Sequence, residues 1–323
     1  MNGTDLGPII ATIRAGRRFL IASHVDPEGD SLGSQLALAS VLRQLGKEVA
    51  VVNQDLPPER YAFMPDIERI VQPEAVAGER FDAAFVLDCA SIERIGTVRA
   101  QLDGVPVVNI DHHRSNTRFG HLNHVEPETC ASGMIVYRLS EELGLELDRD
   151  KATNIYIGIV ADTGNFRYSN TTPEVLRVGS RLIEAGVDGA RVASLLFATR
   201  PLGALRLLGE ALTNLTPELG GQVGLIVLDR AVFARTGADP ADVEGVVNYA
   251  KHLTGTLVGV LLREVEGGEV KVSLRAEGGV DVDQVARRFG GGGHRNAAGA
   301  RVPGPLAAAR QAVLAAIAEA LPT

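Results

Sequence analysis

The stretch His24-Val25-Asp26-Pro27-Glu28-Gly29-Asp30-Ser31 follows the apolar run Phe19-Leu20-Ile21-Ala22. It precedes a segment in which Leu32, Leu36, Ala39, Leu42 and Leu45 recur at helical spacing. Strand, loop and helix make the first part of a strand-helix-strand unit, and residues 49–52 supply its second strand. Strands joined in this way lie parallel through a right-handed crossover, so the stretch makes this part of the chain α/β. Open sheets of that kind keep their ligands beyond the carboxyl ends of the strands, and His24, Asp26 and Asp30 are delivered there. Taken alone, the loop reads equally well as structural, with Asp30 as an N-cap and Asp26 before Pro27 as a turn residue.

Two later runs repeat the pattern. Residues 81–87 form an apolar strand ending at Asp88, and residues 105–110 form another ending at Asp111, His112 and His113. Residues 155–161 are apolar enough for a buried helix or strand, which periodicity does not distinguish, and lead to Asp162. From 173 to about 215 the text is continuously helical and is expected to include a connection between domains. Strands follow at 223–228, 256–263 and 269–275, the last two joined by a hairpin turn at Glu266-Gly267-Gly268. A helix over 282–289, the glycine run 290–293 and an alanine-rich final helix complete the chain.

A length of 323 residues favours two domains, and 45% hydrophobic with 22% charged residues describes an ordinary soluble protein. The net charge of −8 argues against a protein that coats long nucleic acid, while leaving a small anionic substrate held by metal ions compatible. Cys89 and Cys130 are the only cysteines and lie beside apolar residues, which disfavours a disulfide scaffold or a thiolate metal site. No apolar run approaches a membrane span or a signal peptide, so a reduced, cytoplasmic protein without a membrane is expected.

His24, Asp26, Asp30, Asp88, His112, His113 and Asp162 thus gather at strand and segment ends. Imidazoles and carboxylates without thiolate suit manganese, iron or magnesium better than structural zinc. Their number exceeds one site with open positions and fits two ions sharing a carboxylate, a device for in-line displacement at phosphorus.

With these motifs the chain resembles the DHH phosphoesterase family, through HVDPEGDS from His24, VLDCA around Asp88, DHHRSN from Asp111 and ADTGNFR from Ala161. VSLRA with Arg275 and GGGHRNAAG from Gly291 resemble the DHH-associated substrate-binding domain. The resemblance implies a parallel-sheet catalytic domain over 1–190, a helical connector over 191–216 and a smaller α/β substrate-binding domain over 217–323. Substrate is expected in a cleft between the domains, which open and close about the connector. The family pattern implies His24, Asp26 and Asp88 on one ion and Asp30, Asp88, His112 and Asp162 on the other, manganese being favoured. Among the catalytic residues, Asp88 bridges, Asp111 orients an imidazole and His113 faces the scissile phosphate. Arg275, Gly292, Gly293, His294 and Arg295 are expected to bind substrate phosphate, with Arg114 and Asn116 at the rim.

Within the family the chain looks most like the short oligoribonucleases that also act on 3′-phosphoadenosine 5′-phosphate. The implied partners are short single-stranded RNA or DNA oligonucleotides and small phosphorylated nucleotides, and the implied assembly is a homodimer. Hydrolysis of cyclic or linear dinucleotide messengers is the nearest alternative. RecJ-like exonucleases carry added domains that this length does not accommodate, and family II pyrophosphatases carry a Ser-Arg-Lys-Lys-Gln signature absent here. A nucleotide-binding regulator on the same fold is the non-enzymatic alternative. His121 and His124 read as loop or surface histidines, Cys89 as core packing, and Phe166, Arg167 and Tyr168 as groups able to stack on a base.

Overall fold

Helix α1 (Gly7–Ala15) buries Ile9, Ile10 and Ile13 and leads into β1 (Arg18–Ala22), whose last four residues are buried. The computed structural model describes residues 5–277 and 279–321, and the chain divides into two units, Met1–Thr199 and Arg200–Thr323. Helix α2 (Gly29–Gln44) follows the His24 loop, then β2 (Glu48–Val52), β3 (Ile70–Val71), β4 (Ala83–Leu87), β5 (Val107–Asp111) and β6 (Leu122–Val125). These six strands pair in the order β3-β2-β1-β4-β5-β6, and every pairing is parallel. Strands β1 and β4 are neighbours although the chain leaves β1 in the other direction, so the order reverses between them. Such a reversal opens a crevice at the carboxyl ends, where doubly wound sheets bind ligands.

Helices α3 (Ser132–Glu142) and α4 (Arg149–Asp162) pack with α2 over one face. The contact of α2 with α4 is close enough to need glycine: a Cβ at Gly33 would stand 2.4 Å from the Asn154 carbonyl oxygen. Residues 155–161, ambiguous in sequence, belong to α4. The expected continuous helix over 173–215 is instead broken. Helix α5 (Pro173–Glu184) stops before Gly186, which takes φ +100, and α6 (Gly189–Ala193) runs into a π-helical turn over Ser194–Ala198. Pro201 then disfavours helical backbone at Arg200, and α7 (Leu202–Thr213) begins anew.

In the second unit β7 (Thr216–Glu218) and β8 (Val223–Leu228) are antiparallel, and α8 (Ala231–Thr236) and α9 (Val246–Lys251) carry the chain to β9 (Val258–Glu264), parallel to β8. Strand β10 (Glu269–Ala276) returns antiparallel through Gly267 and Gly268, both at positive φ, as the hairpin signal implies. After α10 (Val282–Arg287) come β11 (Gly292–His294), β12 (Ala297–Pro303) and α11 (Leu306–Ala320). The sheet order is β11-β12-β10-β9-β8-β7. Val270, Val272 and Leu274 of β10 face a core with Val285, Val313 and Ile317, while Glu269, Lys271, Ser273 and Arg275 alternate on the other face. Among the described residues no single helix is long and apolar enough to cross a membrane.

Candidate metal centre

Four strand or helix ends meet at the crevice of the first sheet. His24 follows β1, Asp88 follows β4, His112 and His113 follow β5, and Asp162 closes α4. Asp88 holds a left-handed φ of 51°, a conformation that few residues other than glycine and the Asx pair adopt readily. Its two carboxylate oxygens divide between imidazoles: Oδ2 lies 3.6 Å from His24 Nε2, and Oδ1 lies 3.2 Å from His112 Nε2. His112 Nε2 is also 3.1 Å from Asp162 Oδ2 and 3.8 Å from Asp30 Oδ2.

Asp30 is fully buried in the first turn of α2, and the N-terminus of α3 holds it. Its Oδ2 accepts the Ser132 N–H at 2.5 Å and its Oδ1 the Gly133 N–H at 2.9 Å. The helix end therefore fixes the carboxylate's position. On its other side Gly158 of α4 leaves the needed room, since a Cβ there would come within 2.5 Å of Asp30 Oδ1.

Asp26 is exposed, has a left-handed φ of 55°, and donates its N–H to Asp55 Oδ2; its side chain lies outside the clusters of acids and imidazoles. Glu28 gathers with His24 and Asp88, and a second cluster holds Asp30, His112 and Asp162, with one ligand atom from each residue of a cluster within 4.8 Å of the others. Glu28 also caps α2, accepting the Asp30 and Ser31 N–H groups while Ser31 Oγ receives the Glu28 N–H. That reciprocal pattern of Glu28 and Ser31, three residues apart, is the sequence signal that places Glu28 at the edge.

The electrostatics fit cations. Burial and the neighbouring Asp162, Asp88 and Asp30 push the Glu28 carboxyl well up, and burial with Asp88 and Asp162 does the same to Asp30. Burial also opposes charge on Asp88, yet hydrogen bonds from His112 and His24 outweigh it and hold that carboxyl well down. His112 loses solvation and is nevertheless raised well above the ordinary imidazole value by Asp162 and Asp88. The polypeptide has packed more negative charge into this space than its imidazoles balance. Nδ1 of His24 meets the Val25 carbonyl at 2.7 Å and Nδ1 of His112 meets that of Thr129 at 3.4 Å, so each ring turns Nε2 to the carboxylates. Oxygen donors with two imidazole Nε2 atoms suit hard or borderline divalent ions.

Asp111 is fully buried, and its Oδ1 accepts from His113 Nδ1 at 2.7 Å and from the His112 N–H at 2.8 Å. Burial is the largest influence and disfavours its charge, but the hydrogen bond and charge of His113 together with the Asn116 hydrogen bond outweigh it and lower its pKa. Asn116, expected in a substrate or structural contact, is held by hydrogen bonds within the site. Its Nδ2 donates to Asp111 Oδ2, Asn109 Oδ1 and the Cys89 carbonyl, and its Oδ1 accepts the Arg118 N–H. Arg114 is 60% exposed and pairs with Glu128. Burial pushes the Cys89 and Cys130 thiols up to about 12, in keeping with packing. His124 is corrected from a surface histidine to a buried residue of β6 paired with Glu126, whose other oxygen meets Arg138. Phe166 packs on Tyr156 with ring centroids 5.9 Å apart, whereas Tyr168 is 43% exposed.

In the second unit Arg275 ends the half-open face of β10, with Nη1 donating to the Leu274 carbonyl. Gly292 and Gly293, expected to approach substrate phosphate, lie in strand β11. A Cβ at Gly293 would stand 2.4 Å from the Ala297 carbonyl oxygen, so absence of a side chain serves the approach of β12. The Gly293 N–H already donates to Asp283. His294 is half-buried at the end of β11, and Arg295 is exposed with Nη2 on the Gly279 carbonyl.

Comparison with known proteins agrees with this architecture. Residues 18–159 match the DHH family, N-terminal domain, and residues 225–322 match the DHHA1 domain. The bifunctional oligoribonuclease and PAP phosphatase NrnA of Thermus thermophilus is 40% identical over 304 residues, covering 93% of this chain and 89% of that protein. Its namesake in Bacillus subtilis is 27% identical over 299 residues, covering 91% and 92%. The crystal structure of an exopolyphosphatase-related protein from Bacteroides fragilis superposes with a TM-score of 0.88 at 26% identity, covering 97% of this chain and 95% of that one. The chain belongs to the DHH family of phosphoesterases.

Proposed function

We propose that this protein hydrolyses very short oligonucleotides to 5′-mononucleotides and removes the 3′ phosphate from adenosine 3′,5′-bisphosphate, with two manganese ions. The observation that carries the reading is the pair of carboxylate and imidazole clusters that share the neighbourhood of Asp88. The names of the Thermus and Bacillus relatives support the substrate class. His24, Glu28 and Asp88 would hold one ion, and Asp30, Asp88, His112 and Asp162 the other. When bound, such a pair supplies an activated water and neutralises charge on the phosphoryl oxygens.

The chain's own groups prepare the site. Ser132 and Gly133 fix the Asp30 carboxylate, and the two backbone carbonyls fix the tautomers of His24 and His112. Asp111 keeps the proton of His113 on Nδ1. Nε2 of the same ring, when protonated, donates to a non-bridging phosphate oxygen and stabilises charge that builds there in the transition state. Arg275 and His294 bind the substrate's phosphate by charge-assisted hydrogen bonds.

A substrate panel in manganese, comprising a 5′-phosphorylated diadenylate, adenosine 3′,5′-bisphosphate, a cyclic dinucleotide and pyrophosphate, tests the reading. Expected are AMP from the first two and slower turnover of the others. Absence of AMP release from the diadenylate, or an Asp88→Asn variant that stays within a few-fold of wild type, overturns it.

A further inference from the structure

The turn that follows Asp162 is strained, and the metal centre itself makes no use of it. Gly164, Asn165 and Phe166 take φ values of 56°, 59° and 62°, three left-handed residues in succession. Glycine and asparagine adopt that conformation readily, whereas a bulky aromatic residue does so only where its surroundings impose it. Here they do. Thr163 Oγ1 donates to the Ile159 carbonyl at 2.6 Å and accepts the Phe166 N–H at 3.0 Å, and the Thr163 carbonyl accepts the N–H groups of Arg167 and Tyr168 at 2.9 and 3.0 Å. Arg167 Nε donates to the Gly164 carbonyl at 2.6 Å, and Asn170 Nδ2 returns to the Asp162 carbonyl at 3.1 Å. Residues 162–170 thus form one closed loop rooted at a carboxylate of the centre. Backbone held in such conformations concentrates at ligand clamps.

The turn lays Tyr168 on Gly164. A Cβ at Gly164 would stand 2.3 Å from Tyr168 Cζ and 2.6 Å from both Cε1 and Cε2. Equal distances to the two Cε atoms, with Cζ nearest and the hydroxyl oxygen no nearer, mean that the glycine meets the flat side of the ring and not its edge. Tyr168 is nevertheless 43% exposed, so its other side is open. Gly164 stands two residues from Asp162, at most about 7 Å along the chain. An aromatic face backed by main chain, open on one side and fixed by the same loop as Asp162, is an arrangement on which a nucleobase stacks.

We propose that Tyr168 is a base platform: the nucleobase of a nucleotide whose phosphate lies at the metal centre stacks on the open face of its ring. The inference rests on the reading that Asp162 helps to hold the ions at which substrate phosphate binds. Every base presents a flat face, so the platform favours nucleotides over other phosphate esters without selecting among bases, and it acts on KM more than on kcat. The chain has no tryptophan, so Tyr168→Trp places a single indole at the platform. In manganese, 5′-AMP quenches its fluorescence and ribose 5-phosphate at the same concentration does not. Tyr168→Ala raises the KM for 5′-phosphorylated diadenylate about tenfold, with kcat within about threefold and bound manganese unchanged, and Tyr168→Phe restores the KM. An indole that responds alike to AMP and ribose 5-phosphate, or a Tyr168→Ala KM within about twofold of wild type, overturns the proposal. A wild type that releases no AMP from diadenylate refutes the catalytic reading, while quenching by AMP alone still supports the platform.

Discussion

Replacing Gly158 by alanine tests the idea that helix packing positions the metal centre. The new methyl would stand 2.5 Å from Asp30 Oδ1 and 3.4 Å from Asp30 Cα, nearly 1 Å short of ordinary contact with the oxygen. Asp30 has little room to yield, because it is fully buried and both oxygens accept N–H groups from α3. Losing one hydrogen bond to a buried carboxylate costs about 1.5–3 kcal/mol, and overpacking the α2–α4 contact costs about 1–3 kcal/mol. Alanine's helix propensity returns about 1 kcal/mol. The net loss of roughly 1.5–5 kcal/mol corresponds to roughly 3–20 °C in Tm for a unit of this size. A carboxylate moved by about 1 Å lowers kcat about 100-fold. Differential scanning calorimetry of the metal-free protein, manganese titration calorimetry and AMP release from diadenylate measure the three effects. A variant that melts at or above wild type and binds manganese within twofold refutes the reasoning, since propensity alone predicts that outcome.

Glu28→Gln should lower manganese affinity about 10–100-fold, while Asp26→Asn keeps both affinity and stoichiometry; metal analysis after dialysis compares them. Asp111→Asn should retain bound manganese yet lose about 100-fold or more in kcat, because His113 loses the acceptor that fixes its tautomer; the pH profile of kcat should change with it. Burial opposes ionisation of Glu126, but His124 and Arg138 outweigh it and hold its carboxyl below the ordinary 4.5. A depressed folded value means that the stabilisation is present above the unfolded pKa and is lost as pH falls through the folded one. The Tm gap between wild type and Glu126→Gln is therefore widest near neutrality and closes in acid. Manganese should stabilise dialysed protein by about 2.7 kcal/mol at a hundredfold excess over Kd and so raise its Tm, and EDTA should reverse it.

Much of the first unit was legible because each of β1, β4 and β5 is an apolar run followed at once by a polar group, so strand ends could be counted without knowing the sheet. Convergence of His24, Asp88 and His112 follows from that. The gathering of Glu28 with His24 and Asp88 was hidden, because a loop's direction depends on left-handed residues that periodicity does not register. Strand β6 was missed for another reason: Leu122-Asn123-His124-Val125 is short and half polar, and only its edge pairing with β5 makes it a strand. The glycine run was ambiguous because glycine serves anion approach and close strand approach alike, and the approach of Gly293 to β12 shows only in the paired strands. Asn116 looked like a rim residue; its four hydrogen bonds link positions 89, 109, 111 and 118, which no local pattern connects.

The order β3-β2-β1-β4-β5-β6 also constrains how the protein is made. Strand β1 emerges early but pairs on one side with β4, where Ile21 meets Phe85, and its loop finds Asp30's lock only in α3 and α4. Parallel pairings across such separations form slowly. A ribosome that has reached β5 has therefore released a half-sheet of fully buried sequence, such as Ala83 to Leu87, with α3 and α4 still to be synthesised. The nascent unit stays exposed to aggregation until α3 and α4 have docked.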